Sequence, residues 1–188
     1  MDAFEDLVAA LLRNEGYWVE PSFKVRLEKH EKVAIGRASS PRWEIDLVAY
    51  KPVDNELLVV ECKSFLDSRG VSISSFAEGL KPDRYKLFNE PTLRKIVFER
   101  LSQQLIARSA ILPNPRVQLC LAAGRIKSPK DSEALHALFS RRGWRLFDER
   151  WLADGITLLS KDSYQNSVAS VVSKLMLRQR ARASSASV

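Results

Sequence analysis

Residues 43–63 constrain the fold more than any other segment. Two short runs rich in aliphatic and β-branched residues, 43–50 and 57–63, flank Lys51-Pro52-Val53-Asp54-Asn55-Glu56, whose Pro, Asp and Asn favour a turn. The pattern predicts an antiparallel hairpin. Both faces of the two runs are mostly apolar, so the sheet they join is expected to be covered on both sides, as in layered folds that combine helices with a sheet.

The rest of the chain supplies those layers. Residues 2–15 read as an amphipathic helix, with Phe4, Leu7, Val8, Leu11 and Leu12 at helical spacing and Gly16 to end it. Phe23, Val25 and Leu27 alternate with Lys24, Arg26 and Glu28, which predicts a strand over 23–35, followed by a loop at 36–41. Residues 66–90, with Gly70, Gly79 and Pro82, read as irregular with a short helix near 75–79. A helix over 92–112 carries Leu93, Val97, Leu101 and Leu105 and stops before Pro113. A buried strand at 117–123, a helix at 131–142, a strand at 144–147 and a last helix at 163–178 complete an α/β alternation. One domain, 1–178, is expected to carry a basic, disordered tail at 179–188, where small and polar residues have little to bury.

The two hairpin runs each contain an acid. If Tyr50 pairs with Leu57, Asp46 falls opposite Glu61, with Cβ atoms about 4.5–5.5 Å apart, and Lys63 shares the face of Glu61 while Cys62 points away. Like charges opposite one another destabilise a sheet, and carboxylates in apolar strands are costly to desolvate. Either a salt bridge between Glu61 and Lys63 or a bound divalent cation offsets that cost. Oxygen ligands of this kind suit Mg²⁺. Lys63 can orient a water or stabilise charge developing at a phosphate, so the set is suited to phosphodiester hydrolysis.

These residues resemble a known family. Glu44-Ile45-Asp46-Leu47-Val48-Ala49 and Val59-Val60-Glu61-Cys62-Lys63-Ser64 look like the motif of the PD-(D/E)XK nuclease superfamily, with Ile45 in place of the motif's Pro. Phe4-Glu5-Asp6-Leu7-Val8, continuing through Leu11-Leu12 to Gly16-Tyr17, resembles the opening helix of Mrr-type endonucleases, archaeal Holliday-junction resolvases and the YraN-like group. The resemblance covers residues 4–64. It implies a restriction-endonuclease-like three-layer fold, in which a central mixed β-sheet is flanked by helices. It also implies a Mg²⁺-dependent nuclease, with Mn²⁺ as a substitute metal. Asp46, Glu61 and the Cys62 carbonyl would ligate the metal, and Lys63 would assist the attacking water. Glu5 matches a helix acid that joins such sites, although Asp2 and Glu5 also fit a capping box.

The formal charge of +7 and sequence pI near 9.6 favour a polyanionic partner. Lys24, Arg26 and Arg42 lie ahead of or at the start of the first acid-bearing strand. Arg100, Gln104 and Arg108 form a four-step row on the 92–112 helix, a loose match to the Gln motif of the superfamily. These six are the candidate nucleic-acid contacts, and Arg141, Arg142, Arg145, Arg178, Arg180 and Arg182 are further ones. DNA is the expected substrate, with RNA an alternative. By fold-level analogy, a homodimer suits an enzyme that cuts two strands with one site per chain. The competing reading is a non-catalytic DNA-binding or assembly subunit that retains the fold.

No P-loop or zinc-ligand spacing is present, and His30 and His136 read as ordinary surface or helix residues. Trp18, Trp43, Trp144 and Trp151 border apolar runs and are expected to pack. No apolar run approaches the roughly 20 residues of a membrane span, and the acidic start does not resemble a signal peptide. Cys62 and Cys120 read as reduced, buried thiols, which with the preceding points leads to an expectation of a cytoplasmic protein.

Overall fold

A computed structural model describes residues 2–36, 42–76, 84–161 and 167–185, the last six of these as backbone alone. Helix α1 (Ala3–Asn14) begins at Asp2, whose Oδ1 accepts the amides of Phe4 and Glu5 at 2.9 and 2.8 Å. Three strands follow as a meander: β1 (Trp18–Val25), β2 (Trp43–Lys51) and β3 (Glu56–Lys63). The β2–β3 turn is a 3-10 turn over Pro52–Asp54, closed by Asn55 in the left-handed region at φ 44°. Tyr50 pairs with Leu57, as the loop length predicts. Strand β4 (Arg116–Ala123) lies parallel to β3, and β5 (Arg145–Phe147) parallel to β4, giving a five-stranded mixed sheet of order β1-β2-β3-β4-β5.

Helices cover both faces, so the architecture is a three-layer α/β fold. On one face Phe4, Val8, Leu11 and Leu12 of α1, with Leu152 and Leu159 of α6 (Glu149–Lys161), pack on Leu47, Leu58, Val60 and Cys120. On the other, Leu93, Val97, Leu101 and Leu105 of α4 (Pro91–Ala107) and Leu135 and Phe139 of α5 (Pro129–Arg142) pack on Tyr50, Leu57, Val59 and Leu121. The short helix α3 (Lys86–Asn89) adds Leu87 and Phe88 to that second core.

Several expectations are corrected. The first strand starts at Trp18 and ends at Val25, and residues assigned to its continuation form helix α2 (Lys29–Ala34). Glu31 explains the switch: its Oε2 accepts the Glu28 amide at 2.6 Å, while Arg100 grips its carboxylate. Helix α4 stops at Ala107 because the following segment is drawn onto the hairpin turn. There the Leu112 amide donates to the Tyr50 hydroxyl at 3.1 Å, and Asn55 donates to the Pro113 carbonyl at 3.0 Å. The predicted loop at 36–41 and the helix near 75–79 fall largely outside the described residues; before them, Ile73–Phe76 forms a 3-10 turn.

Helix α7 (Val168–Ser185) takes in most of the stretch that composition predicts to be a disordered tail, since Ala, Arg and Gln are good helix formers. Its buried side is not its apolar one. Ser170 and Ser173 are buried, whereas Val168, Val172, Leu175 and Met176 are exposed. Among the described residues no helix is long and apolar enough to cross a membrane.

Candidate functional site

Beyond Leu47 the hairpin opens. The β2–β3 pairing ends at Leu47↔Val60, one rung short of Asp46 and Glu61. The β1–β2 pairing omits the same level: Pro21 pairs with Leu47 and Phe23 with Ile45, and between them Ser22 has φ 50°. Here both strands change sides. Val19 and Leu47 pack beneath α1, whereas Phe23 and Ile45 pack with α4. Asp46 therefore sits at an irregular rung and not within a continuous ladder.

The carboxylate of Asp46 replaces the missing pairing. Its Oδ2 accepts the backbone amide of Cys62 at 2.7 Å. Lys63 Nζ lies 2.5 Å from Glu61 Oε1, donates to the Cys62 carbonyl at 3.0 Å and stands 4.0 Å from Asp46 Oδ2. Two carboxylates and one carbonyl thus converge on a single ammonium, and the side chains of Asp46, Glu61 and Lys63 are each about a quarter exposed.

Burial, reinforced by the charge of Glu61, pushes the Asp46 carboxyl up to about 6, against the opposing effects of the Cys62 amide and Lys63. Burial alone would lower Lys63, but Glu61 and then Asp46 outweigh it, and the ammonium is held above its ordinary range. The Cys62 thiol, on the opposite face, is raised by burial and does not behave as a thiolate.

Glu5 takes the predicted capping position at the start of α1. Its Oε2 accepts the Asp2 amide at 3.1 Å, completing the capping box, and its charge still reaches Asp46 and Cys62. Tyr85, which sequence reasoning missed, lies on the opposite flank. Burial and the charge of Glu61 raise its hydroxyl to about 12. It was hidden in a Gly- and Pro-containing segment with no periodicity.

The donor set fits a hard divalent cation: Asp46 and Glu61 supply carboxylate oxygens, and Cys62 a carbonyl, all at the point where Lys63 already places positive charge. Among the described residues no three His, Cys, Asp or Glu side chains form a metal-holding group, so the protein's side-chain contribution would be these two acids.

Several of the candidate nucleic-acid contacts have structural roles. Arg100 binds Glu31 through Nε and Nη2 at 3.0 and 2.8 Å, tying α4 to α2. Gln104 reads the backbone of Arg26 as a neighbouring strand would, donating to its carbonyl at 2.8 Å and accepting its amide at 3.2 Å. Arg108 lies over the Phe23 ring. Lys24, Arg26 and Arg42 have exposed side chains at the site end of the sheet.

Arg145 is drawn into a cluster at the far end of β3, where it and Arg116 donate to Glu56, a carboxylate only 2% exposed that also accepts the Tyr17 hydroxyl. His136 pairs with Asp148 at 2.9 Å. Trp144 packs against Phe88 and Phe139, and Trp151 against Phe147, but Trp18 is 67% exposed. The side chains of Arg180 and Arg182 lie outside the described residues.

No family model and no curated protein matches the chain. A solved structure described as a protein of unknown function, AF1548, is 17% identical with a TM-score of 0.35, and the match covers 76% of this chain and 54% of that one. The chain thus spans about half the length of that protein.

Proposed function

We propose that the chain is a metal-dependent nuclease that hydrolyses DNA phosphodiester bonds. The observation that carries this reading is the convergence of Asp46, Glu61 and the Cys62 carbonyl on one cationic point, where the hairpin parts and leaves the acids partly open to solvent. Asp46, Glu61 and the Cys62 carbonyl would hold Mg²⁺ or Mn²⁺. When bound, the metal supplies Lewis acidity at a phosphoryl oxygen and a more acidic water.

The chain's own groups do the rest. The bond from the Cys62 amide fixes Oδ2 of Asp46, the oxygen that also stands 4.0 Å from Lys63 Nζ. Lys63 keeps its proton, so it acts as a hydrogen-bond donor that orients water or stabilises charge growing on the phosphate. Glu5, anchored at the start of α1, adds negative potential that favours a cation.

The test is cleavage of branched, linear duplex and single-stranded DNA, and of RNA, with Mg²⁺ or Mn²⁺. Asp46→Ala and Glu61→Ala should each abolish cleavage while circular dichroism and thermal unfolding show an intact fold. Chelator-insensitive activity retained in both variants would eliminate the mechanism. A second reading follows from the ammonium at the centre: Lys63 alone offsets the charge of the acids, and the cluster is a structural ion network in a non-catalytic DNA-binding or assembly subunit. Calorimetric titration with Mn²⁺ separates the two, because only the first requires a metal site that vanishes with Asp46.

A further inference from the structure

Arg100 and Gln104 are engaged by the protein's own groups, and on the other side of the candidate site the chain leaves β3 and β4. These two strands are parallel, so their following loops emerge at the same end of the sheet as Lys63. The loops are joined to each other. The Val71 amide donates to the Arg125 carbonyl and the Lys127 amide to the Val71 carbonyl, both at 2.9 Å, forming a parallel bridge between Val71 and Ile126.

Gly70 permits this closeness. A Cβ there would lie 2.9 Å from the Arg125 carbonyl oxygen, and its φ of +85° suits glycine alone. Asp131, in the first turn of α5, accepts the Ile73 amide and the Ser72 hydroxyl at 2.9 Å each, and the Ser128 hydroxyl at 2.5 Å. The Ile126 amide is held by Glu149 at 2.9 Å. The joined loops abut the site directly, since the Gly124 amide donates to the Lys63 carbonyl at 2.9 Å.

This platform displays Arg69, Arg84, Arg125, Lys127 and Lys130, all exposed. Among the described residues none of them forms a salt bridge. Arg84 is steadied over the Phe65 ring, two residues beyond Lys63. Asp131 accepts its hydrogen bonds from the loops while its charge reaches Lys127, and among the described residues Asp67 is the exposed acid of the β3 loop, so the five cations outnumber these two acids. Cations mounted on a backbone already fixed by hydrogen bonds lose less freedom on binding an anion than cations on a mobile loop.

We infer that the loops after β3 and β4 form a preassembled phosphate track, in which Arg125 and Lys127, with Arg69, Arg84 and Lys130 around them, bind the backbone of a polynucleotide leading from the candidate site on the side away from β1. The identity of the occupant rests on the phosphodiester reading of that site. The position of the track rests on the loops themselves.

The experiment compares two double variants with equal loss of charge, Arg125→Gln/Lys127→Gln on the track and Arg13→Gln/Lys161→Gln at the far ends of α1 and α6. Binding of a labelled DNA duplex and of an RNA hairpin is followed by fluorescence anisotropy with chelator present, across a salt series. Each lost phosphate contact removes about 0.9 from the slope of log affinity against log salt on B-form DNA, so the track variant should lose about 1.8 and bind roughly tenfold or more weakly near 0.1 M salt. The control variant should retain the wild-type slope.

Equal weakening in both pairs would show that net charge alone attracts the nucleic acid, and overturns the track. An unchanged slope in the track pair overturns it as well. Loss confined to the RNA arm keeps the track and assigns it to RNA. A wild-type protein that binds through these residues yet cleaves nothing with Mg²⁺ or Mn²⁺ keeps the track and removes the nuclease reading, so the two failures are distinguishable.

Discussion

Glu56→Ala tests how the far end of the sheet is held. Glu56 is 2% exposed and accepts from Arg116 at 2.7 Å, from Arg145 at 3.2 Å and from the Tyr17 hydroxyl. The contributions differ in kind. The Arg116 side chain is 69% exposed, so its pair is worth about 0–1 kcal/mol. Arg145 is one-third exposed and Tyr17 5%; losing their shared acceptor leaves a partly buried guanidinium and a buried hydroxyl. Removing one partner of a buried ion pair costs about 3–5 kcal/mol, and the residual hydration of Arg145 places this case near 3 kcal/mol. Glu56→Gln keeps the shape and some hydrogen bonding and should cost about 1–2 kcal/mol. Urea unfolding reads these as shifts of the midpoint at an unchanged m value. A cost below about 1 kcal/mol for Glu56→Ala, or an equal cost for Arg116→Ala, would refute the assignment of the load to the buried pair.

Other expectations follow from the site and its loops. Because folding raises the Asp46 carboxyl from 3.8 to about 6, its contribution to stability is fully present below about pH 4 and lost as pH rises through about 6; in metal-free protein Asp46→Asn should therefore stabilise at pH 8, by the order of 2 kcal/mol, and not at pH 4, as read by thermal unfolding. Asp131 has the opposite sign: its hydrogen bonds hold it at about 2, so its stabilising contribution is present above about pH 4 and declines as pH falls toward 2. Asp131→Ala should speed hydrogen exchange at the Ile73 amide while leaving β3 protected. Gly124→Ala would drive a Cβ into the Ser64 carbonyl, so it should destabilise by about 2 kcal/mol or more and disturb Mn²⁺ binding, measured by urea unfolding and calorimetry. Unaltered binding and stability in that variant would contradict the close approach of the two strand ends.

The hairpin was legible because a turn of that length between two apolar runs pairs Tyr50 with Leu57. The start of α1 was equally legible from its cap and stripe. Helix α6 was not, because Gly155 and Thr157 weaken its local preference; Gly155 is tolerated where a Cβ would lie 3.0 Å from Leu11, a packing reason that exists only after folding. Pro21 and Ser22 disguised the first half of β1, which accommodates them as an edge strand with a change of side. At the candidate site, residue types and spacing showed which groups could meet. They did not show that the ladder would end at Leu47, or that Arg100 and Gln104 would be occupied by α2 and β1. Those outcomes depend on partners far away in the chain.

The bond between the Asp46 side chain and the Cys62 amide turns position 46 into a ruler. A carboxylate there has to span a fixed gap to the neighbouring backbone while its bound oxygen stays within 4.0 Å of Lys63 Nζ. Glutamate, longer by one methylene, overshoots the amide or withdraws from the opening, so chemical likeness alone cannot make it a substitute.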